Sequence, residues 1–184
     1  MQDEITKKII NELVGAGAVL SKDINKKIAS TSTSDISIYE CINFARGAVT
    51  PSLNPKAIEC LEKSIKKDPN YADAWIWLAD RKRAQHSSFS MTNEFKYMLE
   101  EASKEIDRGL ILDPEHAFGY STKLQIEFYK NNWQEMFNVA EKAYSLAGER
   151  PHLLGKIGYS LAYGGQCEKE DIYKSTCLLY TSDA

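Results

Sequence analysis

Apolar residues recur along this chain at the three- and four-residue spacings that place side chains on one face of an α-helix. Such stripes predict a first helix over residues 3–14 and a shorter second helix over residues 21–29. The hydroxyl-rich run at 30–34 carries no apolar stripe, so we interpret it as a linker. Ser34 or Asp35 would then cap the helix that follows, because both side chains can accept hydrogen bonds from first-turn N–H groups.

From Ile38 onward the hydrophobic pattern repeats around short corners. Pro69 and Pro114 each end one helical stripe and precede another, because proline lacks the N–H that would continue a helix. Gly148 stands at the third corner. Counting from these corners divides residues 35–176 into four units of paired helices, over 38–71, 72–116, 117–150 and 151–176.

The second unit is 11 residues longer than the 34-residue units on either side of it. Its extra residues lie between Ala84 and Lys96, where Thr92 is a candidate cap for an early helix start. The apolar spacing continues from there toward Pro114, so the insertion is expected to lengthen the second helix of this unit.

One position in the first helix of the units is occupied by a small residue, namely Ala45, Ala79 and Gly158. Two helices joined by a short turn approach closely only where a side chain is small, so these residues are expected to be helix contact points. Leu124 departs from this rule in the third unit.

Composition and charge narrow the range of partners. The chain has 184 residues, 43% of them hydrophobic, and a net charge of −3, which favours neither nucleic acid nor an anionic membrane surface. No apolar run reaches the roughly 20 residues of a membrane span, and the N-terminus lacks the layout of a signal peptide. We therefore expect a soluble, cytoplasmic protein.

Cysteines and histidines do not form a recognisable metal or catalytic motif. Cys41 and Cys60 fall on apolar helical faces and are expected to be reduced core residues, with a disulfide as the less favoured alternative. His86, His116 and His152 lie in a loop and at two corners, where surface or capping roles are expected. No nucleophile–base pair emerges, so we expect no enzymatic activity, no cofactor and no metal.

The run Arg81-Lys82-Arg83 lies near the end of a predicted helix and has two interpretations. It could meet a phosphate or an acidic peptide. More often such residues offset the negative end of the helix dipole, and that interpretation is favoured here.

The 34-residue paired-helix unit, with its small, aromatic and corner-proline positions, resembles the tetratricopeptide repeat over about residues 38–165. The resemblance implies an all-α fold, an α-solenoid of stacked antiparallel helical hairpins, and a role in protein binding. The residues that carry it are Pro69, Tyr71, Ala72, Trp75, Leu78, Ala79, Ala102 and Pro114.

The order of parts along the chain is similar to the C-terminal region of certain bacterial signalling proteins. In those proteins such repeats follow a TolB-like segment and either an adenylate/guanylate cyclase or a winged-helix DNA-binding domain. The resemblance implies that residues 1–34 are the end of an upstream domain. This chain has no motif of either effector, so neither activity is expected of it.

The final residues, 177–184, resemble the translation of a transposase sequencing adaptor, and a degenerate closing helix is the alternative. Terminal repeats normally need a polar outer face, so exposed apolar faces at both ends predict self-association.

The tetratricopeptide pattern also implies which side chains would line the concave face of the array, where first helices present the residues not used in packing. Aromatic and arginine residues there suit contacts with a peptide or protein. The set is Tyr39, Asn43, Arg46, Asp73, Ile76, Trp77, Asp80, Arg83, Ser121, Gln125, Phe128, Tyr129, Lys156 and Tyr159.

Two functions follow from these observations. The favoured one is a non-catalytic interaction or scaffold module of a bacterial regulator that binds a peptide or protein segment in the groove. The alternative is a small-ligand sensor that modulates an upstream domain, which a closed apolar pocket with converging polar groups would favour.

Overall fold

The computed structural model describes residues 36–48, 50–85, 92–148 and 150–164, and every regular element in these ranges is an α-helix. The predicted helices before residue 35, the linker, the second helix of the fourth unit and the tail at 177–184 lie outside the described residues. The helices are α1 (Ile38–Gly47), α2 (Asn54–Lys67), α3 (Ala72–Arg83), α4 (Asn93–Leu112), α5 (Ala117–Tyr129), α6 (Trp133–Ala147) and α7 (Pro151–Tyr163).

The chain divides into two compact units, the first containing α1–α3 and the second α4–α7. Within the first unit, α1, α2 and α3 all contact one another. Within the second, α5 contacts α4, α6 and α7.

The two proline corners are built alike, as their sequences predict. Asp68 ends α2 and Asp113 ends α4, each in an extended conformation. Each carboxylate oxygen accepts a hydrogen bond from the N–H two residues later, at 3.0 Å and 3.2 Å. At the first corner the Trp75 indole N–H also donates to the carbonyl of Pro69 at 2.9 Å, which holds the start of α3 against the turn.

Gly148 ends α6 with φ of 55°, in the left-handed region where a Cβ is unfavourable. No atom lies within 4 Å of a Cβ built there, so the backbone conformation, and not crowding, accounts for glycine at this corner. The Arg150 side chain donates to the carbonyls of Leu146 and Ala147, two groups that the helix end leaves without intrahelical partners.

The first turns of α1 and α4 are capped by side chains. Thr92 caps α4 as predicted, its hydroxyl accepting from the N–H of Phe95 at 3.2 Å, and α4 is 20 residues long. The predicted cap of α1 was wrong. Ser37, and not Ser34 or Asp35, caps this helix, and the Glu40 carboxylate accepts a hydrogen bond from the Ser37 N–H at 3.0 Å.

The core of the first unit forms where α1, α2 and α3 meet. Phe44, Ala45, Ala57 and Leu61 are fully buried in one cluster, which Leu78 of α3 joins. Complete burial of Ala45 agrees with the expectation that a small residue marks a close helix contact.

A disulfide joins Cys41 of α1 to Cys60 of α2 within this core, so the expectation of reduced thiols was wrong. The Cα atoms are 5.6 Å apart, a separation typical of disulfide-bonded residues. The sequence placed both cysteines on apolar faces, but helical periodicity does not fix how α1 and α2 are aligned along each other. That alignment decides whether two facing sulfur atoms meet.

The core of the second unit surrounds α5. Leu124, which departs from the small-residue rule, is fully buried together with Met136, Leu153 and Ile157. Its side chain therefore occupies interior volume that a smaller residue would leave empty.

Lys123 links the three neighbouring helices α4, α5 and α6 at the edge of this core. Its ammonium group lies 2.8 Å from the Asp107 carboxylate and 3.6 Å from that of Glu135. Burial acts to lower the pKa of Lys123, but the hydrogen bond and charge of Asp107, with the charge of Glu135, outweigh it, so the pKa is raised.

Of the helices described, none combines the length and the apolar character that crossing a membrane requires.

Candidate functional site

In the first unit, the predicted binding residues of α1 and α3 separate into exposed and buried groups. Tyr39 is 62% exposed, and the Arg46 side chain is partly exposed. Arg46 lies 3.8 Å from the Asp73 carboxylate, and its guanidinium is 5.6 Å from the centre of the Trp77 ring. Side chains from two helices thus converge on one surface.

Trp77 is half-buried, and its indole contacts both the hydrophobic core and two arginine side chains. One part of the side chain packs against the hydrophobic core of the first unit. The guanidinium groups of Arg46 and Arg81 lie 5.6 Å and 5.8 Å from its centroid, within the range of cation–π attraction. These contacts limit the freedom of the indole and present it in a fixed position.

Asp80 lies at the centre of a buried charge network. Its carboxylate is 1% exposed and pairs with Arg81 at 2.5 Å and with Arg83 at 2.8 Å. Arg81 also donates to the carbonyl of Ala48 at 2.7 Å, where α1 ends. The two arginines therefore neutralise an internal carboxylate, so the structure supports a local role for the basic run over one in binding an external anion.

Asn43 and Ile76 are buried, although the sequence pattern placed them on the binding face. The Asn43 amide donates to the carbonyl of Tyr39 at 3.1 Å, one turn earlier in α1. Ile76 is fully buried. Neither side chain is available on the surface of the described residues.

In the second unit, Ser121 and Gln125 are also buried on α5. The Ser121 hydroxyl donates to the carbonyl of Phe118 at 2.9 Å. The side-chain oxygens of Gln125 and Thr122 have no hydrogen-bond partner among the described residues. Two buried acceptors one turn apart on α5 are thus left unsatisfied within this part of the chain.

In the second unit, several of the predicted binding residues and their neighbours are aromatic and contact one another. The Phe128 ring meets those of Tyr129, Trp133 and Tyr159 in edge-to-face contacts, with centroids 5.3 Å, 5.8 Å and 6.1 Å apart. The Tyr159 ring lies 4.6 Å from that of Tyr163, which is exposed. Residues of α5, α6 and α7 therefore form a continuous aromatic surface.

Lys156 of α7 contacts an aromatic ring of α5, with its ammonium 4.3 Å from the centre of the Phe118 ring. His152, one turn earlier, has a lowered pKa because partial burial and the nearby charges of Lys156 and Arg150 disfavour its protonated form.

Sequence reasoning omitted Phe118 and Trp133 from the binding face. Phe118 is the second residue of α5, just as Tyr39 and Asp73 are the second residues of α1 and α3, so the repeat pattern contained the signal for it. Trp133 begins the second helix of its hairpin, a position that the first-helix rule does not consider.

A cavity of about 320 Å³ lies in the second unit between α4 and the end of α5. Lysine, glutamate and asparagine side chains form much of its wall, and Leu99 supplies an apolar part. Among the described residues no group of three metal-ligating side chains comes together.

No protein-family model matches the chain, and no curated protein matches it. Among solved structures it is similar to TTC0263, a thermophilic TPR protein in Thermus thermophilus. The two share 14% sequence identity with a TM-score of 0.65, and the match covers 90% of this chain and 80% of that one. This likeness shows the fold. The predicted fold class, all-α with helical hairpins of the tetratricopeptide type, is confirmed.

Proposed function

We propose that this protein is a non-catalytic interaction module whose first helices bind a peptide or protein segment. The observation that carries the proposal is the placement of partly exposed aromatic and arginine side chains that meet across neighbouring first helices. Arg46 and Trp77 meet across α1 and α3. Phe128 and Tyr159 meet across α5 and α7. Such residues contribute most of the binding energy in protein interfaces.

Burial reduces the set of predicted residues that can belong to the proposed binding surface. Those that reach the surface in the first unit are Tyr39, Arg46, Asp73, Trp77 and Arg83, and those in the second are Phe128, Tyr129, Lys156 and Tyr159. The remaining predicted residues are buried beneath this surface and have a positioning role in the proposal; they are Asn43, Ile76, Asp80, Ser121 and Gln125.

Charge supports a protein or peptide over nucleic acid as the partner. The net charge of the chain is −3, and the arginines Arg81 and Arg83 are paired with Asp80. A nucleic-acid surface needs several cations directed at phosphates, because phosphate neutralisation supplies most of the affinity.

The wider setting of this proposal is a bacterial signalling or transcriptional regulator, in which the module is the scaffolding or sensory part and works in the cytoplasm. The resemblance of the chain's layout to such regulators supports it.

A small-ligand sensor is the less favoured function. The cavity in the second unit is bordered by Lys96, Glu100 and Lys130, and it is partly open. Ligand pockets are mostly apolar and enclosed, with a few converging polar groups. The extended aromatic surface formed by α5, α6 and α7 suits a peptide better.

Selection of peptides from a displayed random library tests the proposal and does not require the natural partner to be identified. Peptides selected on the wild-type protein should bind Trp77→Ala or Tyr159→Ala at least about tenfold more weakly, because each change removes a central aromatic contact. Affinity is measured by fluorescence anisotropy.

Two exposed residues outside the proposed surface provide matched controls, Tyr97→Ala (67% exposed) and Ile111→Ala (70% exposed) on α4. Both should bind as wild type does. If every selected peptide binds the Trp77 and Tyr159 variants with wild-type affinity, the proposed surface is wrong.

A further inference from the structure

The Cys41–Cys60 disulfide covalently joins the two helices of the first hairpin. The cysteines are 19 positions apart in the sequence, and both side chains are almost fully buried. Cys41 lies in α1 between Tyr39 and Arg46, two residues of the proposed binding surface. The cross-link therefore fixes the helix that carries part of that surface.

Apart from this cross-link, α1 is held by packing and by a few hydrogen bonds. It has only 10 residues, too few for a helix to be stable in water without tertiary contacts. Lys67 donates to the carbonyl of Ile36 before the helix, and Arg81 donates to that of Ala48 after it. Phe44 and Ala45 supply its buried apolar contacts.

We propose that the Cys41–Cys60 pair is a reversible redox site that controls how firmly α1 is held, and through α1 the proposed peptide-binding surface. The part concerning binding rests on the proposed function, whereas the part concerning α1 does not. In the oxidised form the cross-link restricts separation of α1 from α2. In the reduced form α1 opens more often.

The chemistry requires an external thiol reductant, such as a dithiol or glutathione. A reductant thiolate attacks one sulfur, breaks the Cys41–Cys60 bond and forms a mixed disulfide, which a second reductant thiol resolves. Two electrons and two protons pass to the protein, leaving two thiols, and the reductant becomes a disulfide. Because both sulfurs are buried, attack requires α1 to move away from α2 first.

Hydrogen–deuterium exchange of the oxidised and reduced protein tests the site without a partner. Cys167 and Cys177 are replaced by serine so that only the proposed pair can react. Oxidised glutathione should produce a Cys41–Cys60 cross-linked peptide on non-reducing digestion. Amides of α1 should then exchange at least about tenfold faster after reduction, because the cross-link no longer limits opening. Amides of α6 should be unchanged.

Cys41→Ala/Cys60→Ala should resemble the reduced protein in α1 exchange under either redox condition. Reduced wild type provides the same comparison if this variant fails to fold. Failure to form the cross-linked peptide under oxidation, or equal α1 exchange in both forms, would overturn the proposal.

Peptide affinity, measured on the same oxidised and reduced samples, separates this inference from the proposed function. Weaker binding after reduction, together with faster α1 exchange, supports the complete inference. Faster α1 exchange with unchanged affinity keeps the redox site but overturns its control of binding. Absence of peptide binding in both forms overturns the proposed function alone.

Discussion

Helices α3 and α5 use equivalent positions in different ways. The fifth residues, Ile76 and Ser121, are both buried, and so are the ninth, Asp80 and Gln125. Asp80 is neutralised by two arginines, whereas the side-chain oxygen of Gln125 has no partner among the described residues. The same place in a repeated hairpin can thus hold a neutralised carboxylate or an amide oxygen that lacks a partner among the described residues.

The twelfth residues of α3 and α5 also differ, and both are partly exposed. In α3 this residue is Arg83, which pairs with Asp80, and in α5 it is Phe128, which contacts neighbouring aromatic rings. A buried carboxylate requires cations beside it, and Arg83 at the twelfth position of α3 supplies one of them. Where the ninth residue is neutral, as Gln125 is, the twelfth position is free to be aromatic.

The largest effect is expected from Asp80→Asn, which removes the negative charge and keeps the shape. Arg81, which is buried, and Arg83, which is mostly buried, would keep their charges without the carboxylate that neutralises them, so the free energy of unfolding should fall by about 3 kcal/mol. Urea unfolding followed by far-ultraviolet circular dichroism measures it. A change below about 0.5 kcal/mol would contradict the role given to the Asp80 network.

A smaller loss, about 2 kcal/mol, is expected from Phe128→Ala, because several edge-to-face contacts and part of a buried ring are lost. The matched control is Tyr163→Ala, since Tyr163 is 67% exposed and lies at the end of the aromatic surface. It should change the free energy of unfolding by less than about 0.5 kcal/mol. Equal losses in the two variants would show that Phe128 does not organise the surface.

Gln125→Met tests whether the ninth residue of α5 contributes less to stability than the ninth residue of α3. Methionine has a similar length and removes a buried acceptor that lacks a partner among the described residues, so the free energy of unfolding should stay within about 1 kcal/mol of wild type or rise. The same urea titration applies. A loss as large as that of Asp80→Asn would mean that the Gln125 amide makes an essential hydrogen bond.

The smallest effect concerns pH and His152. Its pKa is lower in the folded than in the unfolded chain, so the unfolded chain takes up the proton first as the pH falls. The stability from neutral His152 is therefore complete above about pH 6.5 and is lost as the pH falls below it toward the lower folded pKa.

Between pH 8 and pH 5 the Tm of wild type should fall more than the Tm of His152→Gln. The difference should be at most about 2 °C, because the imidazole is partly solvated. Thermal unfolding of both proteins at the two pH values measures the difference. A steeper fall in the variant would mean that the sign of the pKa shift is wrong.

The sequence predicted the local elements of the fold well because their signals are local. Pro69 and Pro114 placed two corners, and Thr92 placed the start of α4. Ser37 and Glu40 also carry a local signal, the capping box, but Ser34 in the hydroxyl-rich run before them is an equally suitable cap by residue type.

The candidate surface was less predictable because burial depends on several neighbours at once. A helix that contacts only one partner has a single buried stripe, but α5 contacts three helices of its unit. Residues between its stripes, such as Ser121 and Gln125, are then covered as well. The Cys41–Cys60 bond was missed for a related reason, since it depends on how two helices align.

The most direct test of the proposed binding surface is an amide chemical-shift map recorded while a selected peptide is titrated into the isotopically labelled protein. We predict that the largest shifts in the first unit occur in α1 and α3, around Trp77, and that the largest shifts in the second unit occur in α5 and α7, around Tyr159. Shifts confined to α2, α4 and α6 would contradict this prediction.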